Sequence, residues 1–201
     1  MSDQVQPTLF DEMFERQEAV SESLARTPRS QRDRSKTIEG LSASQRYEVM
    51  YKTMLNEHGV RVRKWRSSSS GVAWQLKWHD GTTSRLIESP KPKGPMSAAI
   101  FLHEIGHHAI GFDTYKPRCL EEFHAWMYSL VELESWGIQI TQAVRDRVHD
   151  SLYYAVGKAK RRGLQKLPPE LIVYARPRHK ESEQNSKSDF SNQPQTDSLL
   201  S

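Results

Sequence analysis

Met96-Ser-Ala-Ala-Ile-Phe-Leu-His-Glu-Ile-Gly-His-His-Ala-Ile110 has helical character and is apolar on nearly every side, apart from its glutamate and histidines. A helix with no face suited to water belongs in the middle of a fold, and Gly111 is a natural stop. Polar residues buried there need partners. Five of these positions, His103-Glu104-Ile105-Gly106-His107, form the pattern H-E-x-x-H. At about 100° per residue, His103 and His107 stand roughly 40° apart, one turn above the other. Two imidazole nitrogens so placed can reach one tetrahedral ion at the ~2.0–2.1 Å that zinc requires. Glu104, rotated about 100° from His103, approaches the open side of such an ion, where it can take a proton from water. Gly106 leaves room beside it.

Downstream, a short loop leads to a second expected helix from Cys119 to Trp136, ended by Gly137. Thr141 caps a third, running to Arg162. Pro168-Pro169 opens a short apolar segment, Leu171 to Tyr174. Upstream, Val60–Trp65 and Val72–Trp78 alternate at strand spacing. His79-Asp80-Gly81-Thr82 is a hairpin turn, and Thr83–Glu88 returns as a third strand. Before them, Ser42 and Ser44 offer N-caps to a helix carrying Tyr47, Met50, Tyr51, Met54 and Leu55, with Gly59 as its stop. The expected class is α+β: an N-terminal helix, a small antiparallel sheet, the H-E-x-x-H helix and the helices after it.

A catalytic zinc site takes three protein ligands and leaves a fourth position to water. Glu122 is favoured as the third, because it opens a helix that folds back on the first, and Ala125 one turn later permits close packing. Glu121, pointing about 100° away from it, is its immediate rival. Asp113 and His124 also remain open, although the extended motif that would make Asp113 a ligand wants Gly where Ile110 stands.

With His103–His108 followed by Glu122-Phe-His-Ala125, the chain resembles the gluzincin metallopeptidases, whose third zinc ligand is a glutamate. More narrowly it is similar to ImmA/IrrE proteases and the minimal gluzincins, over about residues 45–160. Trp126, Tyr128 and Ser129 depart from the usual continuation of the motif. The resemblance implies a zincin-like fold over 41–177 and a zinc-dependent hydrolysis of peptide bonds. In it His103, His107 and Glu122 would hold one zinc ion, and Glu104 would be the general base. It further implies an oxyanion donor on a later helix, where His149 and Tyr153 are the candidates and Tyr154 lies beside them. An edge strand holding extended substrate is implied as well, with Thr83–Glu88 the candidate.

The remaining composition narrows the setting. The chain has 201 residues, 36% of them apolar, a net charge of +4 and a single cysteine, Cys119. One cysteine excludes an intrachain disulfide framework and a thiolate-cage zinc site. No window suits a membrane helix, and the N-terminus lacks the apolar core of a secretory signal. A cytoplasmic protein is therefore expected. Residues 1–40 read as a flexible segment with a short amphipathic helix over about 8–25, and 178–201 as a disordered polar tail. Gln6-Pro-Thr-Leu-Phe10 resembles the short peptides that dock into the bacterial replication sliding clamp. Basic clusters at Arg61–Arg66 and Lys158–Lys166 suit either solvated faces or weak contact with nucleic acid. The competing function is thus a catalytically silent zinc-fold adaptor associated with DNA or the clamp. A metal hydrolase acting on a non-peptide bond is a third.

Overall fold

A computed structural model describes residues 34–178. The expected helix at 8–25, the Gln6–Phe10 peptide and nearly all of the 178–201 tail lie outside the described residues. A short helix, α1 (Ser35–Ile38), precedes α2 (Ala43–His58). Ser42 caps α2 reciprocally with Gln45, through contacts of 3.3 and 2.9 Å. Gly59, at φ 60°, ends it in the left-handed conformation that glycine adopts without strain. Met50 and Met54 face inward from α2 and are fully buried.

Three strands follow: β1 (Val60–Arg66), β2 (Val72–Lys77) and β3 (Thr83–Pro90). Their spatial order is β1-β3-β2, with β2 antiparallel and β1 parallel to β3. The sheet is therefore mixed, which corrects the expected antiparallel one. Alternating residues identify a strand and its faces, but not its neighbours. The turn after β2 does form the expected hairpin, with Thr82 held by the Asp80 carboxylate. The segment between β1 and β2 does not. It crosses the end of β3, a span of about 10 Å at the usual strand spacing. As the central strand, β3 has both edges paired, so Thr83–Glu88 has no free edge for a substrate; β2 and β1 carry the free ones.

The helix α3 (Pro95–Ile110) is buried continuously from Ala98 to His108. The sheet lies on one side of it and α4 (Arg118–Ser135) on another. Residue pairs 99 with 129 and 107 with 121 are in contact, so the two helices run antiparallel. The two helices approach closely at Gly106, where a Cβ would meet the backbone of Ala125. Thr141 caps α5 (Gln142–Arg161), whose Val144, Val148, Leu152 and Val156 complete the core with Leu171 and Tyr174 of the 3₁₀ segment Pro169–Ala175. None of the described helices is long and apolar enough to cross a membrane.

Arg34 departs from its reading as part of a flexible segment. It is buried, with its guanidinium 3.0 Å from Glu57, 3.3 Å from Glu132 and 4.4 Å above the Trp136 ring. A charge can be buried when it is paired in this way.

Candidate metal centre

His103 and His107 project from consecutive turns of α3 toward the first turn of α4. One oxygen of Glu122 lies 3.3 Å from His103 Nε2 and 3.6 Å from His107 Nε2. All three donor atoms fall within 4.8 Å of one another. Ligands about 2.05 Å from a tetrahedral zinc are separated by about 3.3 Å, the edge of that tetrahedron. The two contacts to Glu122 are near that length, and the three donors together form a group that could hold one metal ion. The missing side chain at Gly106 favours this reach: with no Cβ to meet the Ala125 backbone, α4 approaches closely enough for Glu122, one turn earlier, to meet the imidazoles.

The other candidate ligands have different tasks. Glu121 is 3.3 Å from Nδ1 of His107, the nitrogen facing away from the shared oxygen, and it accepts the Asp113 backbone N–H at 3.0 Å. A carboxylate there sets the tautomer and orientation of a ligating histidine. Asp113 contributes its backbone, at φ 60°. His124, about 200° around the helix from Glu122, stacks on Tyr115 at 3.8 Å. His103 is held by the Trp126 ring at 4.1 Å, and its Nδ1 has no partner among the described residues.

Electrostatics divides the donors. Burial pushes His103 down to about 4, only partly offset by Glu122, which leaves the imidazole uncharged, as a metal ligand must be. Burial also lowers His107, but hydrogen bonds to Glu121 and Glu122 outweigh it and raise the pKa to about 9. Burial acts to raise Glu122, yet its contacts with the two imidazoles hold it far below the carboxylate range. A carboxylate kept ionised and pointed at two imidazoles is a site built to attract a cation. Glu104, 5% exposed, is raised to about 8 by burial. A Cβ at Gly71, just before β2, would collide with its side chain, so any larger residue there would have to displace Glu104.

The centre opens into a cleft of about 990 Å³. Its walls are the Ser70–Gly71 turn, the exposed ends of His103 and Glu104, and one face of α5. On α5 that face carries Arg147, Ser151, Tyr154, Ala155 and Lys158. His149 and Tyr153 lie outside the lining: roughly 200° and 240° around the helix from Arg147, His149 packs on Tyr174 and Tyr153 is exposed. Cys119 lines the cleft but is buried, which pushes its thiol pKa up.

Three contributors escaped the sequence reading. Arg118 bonds both carboxylates, at 2.8 Å to Glu121 and 3.2 Å to Glu122; its i, i+3 and i, i+4 spacing to them was the available signal. Trp126 lies i+4 from Glu122. Arg147 donates to the Ser69 carbonyl at 2.9 Å and joins α5 to the turn beside Glu104, a contact without a local signal. Compared with known proteins, the chain matches no family model, no curated protein and no solved structure.

Proposed function

We propose that this chain is a zinc-dependent metallopeptidase with a zincin-like domain over residues 41–177. The observation that carries this reading is the single Glu122 oxygen lying 3.3 and 3.6 Å from the paired imidazoles, in a helix whose next residue after His103 is the buried Glu104. Zinc held there would supply Lewis acidity and make water a stronger acid. His103, His107 and Glu122 would hold the ion; Glu121 orients His107, and Arg118 neutralises the two adjacent carboxylates. Glu104 takes the proton of the attacking water and returns it to the departing amide nitrogen. Arg147, fixed at the turn before β2, supplies positive charge on the substrate side of the cleft. The free edge of β2 offers backbone groups to an extended peptide, in place of β3.

Substituting Glu104→Gln tests the assignment. The variant should retain one zinc per chain by metal analysis, while cleavage of a peptide library falls by about 10²–10⁴-fold. Turnover at the parental rate would remove Glu104 from the mechanism. Zinc binding by a parent that cleaves nothing would instead favour the silent adaptor.

A further inference from the structure

The wall of the cleft opposite the metal centre is a charged stripe. Arg147, Lys158 and Arg162 all line it, within roughly 60° of one another around the α5 axis. Along that axis they lie about 16 and 22 Å apart, counted from Arg147. The acidic side chains that could neutralise them are committed elsewhere. Asp150, the acidic residue of this wall, is held by Arg178 at 2.8 and 2.9 Å. Glu122 belongs to the metal centre and to Arg118. Lys158 and Arg162 form no ion pair among the described residues.

Resting on the peptidase reading above, we infer that the substrate is a peptide carrying an acidic segment on one side of the bond to be cut. At about 3.3 Å per residue, an extended chain that passes Arg147 reaches Lys158 about five residues later and Arg162 about seven. Acidic side chains at those distances meet uncompensated cations, whereas a basic segment meets like charge. A single-stranded nucleic acid is less suited to this wall. Such grooves stack successive bases on aromatic rings, and of the two aromatics lining the cleft Trp126 is already stacked on His103.

The zinc-loaded Glu104→Gln protein allows binding to be read without turnover. Two pools of randomised peptides a dozen residues long would be compared by capture, one with a cluster of Glu and the other with Gln at the same positions. The Glu pool should be retained preferentially, and Lys158→Glu with Arg162→Glu should weaken its capture by about tenfold. Lys160→Glu with Arg161→Glu makes the same charge change off the cleft and should leave capture within about twofold. Equal capture of the two pools, or equal loss from the two double variants, overturns the inference. So does displacement of the bound peptides by a single-stranded oligonucleotide whose own binding depends on Lys158 and Arg162. Cleavage by the parent is scored separately: cutting both pools equally overturns the acidic preference but keeps the peptidase, while selective capture without cutting by the zinc-loaded parent overturns the peptidase.

Discussion

Glu121 and Glu122 are neighbours of the same chemistry, yet one helical step separates the carboxylate that meets both imidazoles from the one that holds the far nitrogen of His107. Glu122 shares an oxygen between the two imidazole Nε2 atoms, while Glu121 holds the far nitrogen of His107. Removing the charge from Glu121 without changing its shape isolates that second task. Glu121→Gln should keep the fold and lower zinc affinity by about 10–100-fold, measured by competition with a chelator of known affinity. Unchanged affinity would show that His107 needs no such orientation.

At the scale of elements, the centre depends on how closely α3 and α4 approach. A methyl at Gly106 would lie 2.7 Å from the Ala125 carbonyl oxygen and 3.2 Å from its Cα. Backbone cannot move aside as a flexible side chain can, so the helices must separate. Gly106→Ala gains about 1 kcal/mol in helix propensity but incurs about 1–3 kcal/mol of overpacking. The expected outcome is a modest loss of stability in urea together with weaker zinc binding, because Glu122 retreats from the imidazoles. A variant as stable as the parent and binding zinc as tightly would refute this account of the helix contact. The sheet contributes in a similar positional way: with β3 in the centre, the free edge of β2 begins at Val72, directly after Gly71 beside Glu104.

Across the whole molecule, two polar contacts, both at least partly buried, tie distant parts of the chain together. Arg34 joins the N-terminal end of the described chain to Glu57 of α2 and to Glu132 and Trp136 at the end of α4. Arg34→Ala would leave Glu132, 1% exposed, without this cation. Breaking a buried pair from one side costs about 3 kcal/mol, a large share of the ~5–15 kcal/mol typical of a domain. Urea denaturation should show a loss of that order, and a change below about 0.5 kcal/mol would mean the pair is energetically idle. The second contact is His58 with the Tyr128 hydroxyl, at 2.8 Å. Burial lowers the His58 pKa, with Arg85 and Arg34 adding to the effect and Glu57 opposing it. The unfolded chain, with histidine near 6.5, therefore binds the proton more readily than the folded one. The stability contributed by neutral His58 is fully present above about pH 6.5 and is lost as pH falls toward the lower folded value. Stability of His58→Gln should consequently decline less than that of the parent between neutral and mildly acidic pH; parallel declines would exclude His58 as a source.

Much of this protein was legible in local spacing. The pairing of His103 with His107, the caps at Ser42 and Thr141, the stops at Gly59, Gly111 and Gly137, and the Asp80–Gly81 turn all depend on residues within a few positions of one another. Those distances are set by helix and turn geometry, whatever the surroundings. Packing between elements decided the rest. It chose Glu122 over Glu121 to face the imidazoles, put β3 at the centre of a mixed sheet, turned Arg147 toward the cleft and His149 away from it, and drew Arg34 inside. Periodicity tells which side chains share a face; only the folded chain settles what that face meets, because the partner comes from residues far off in sequence.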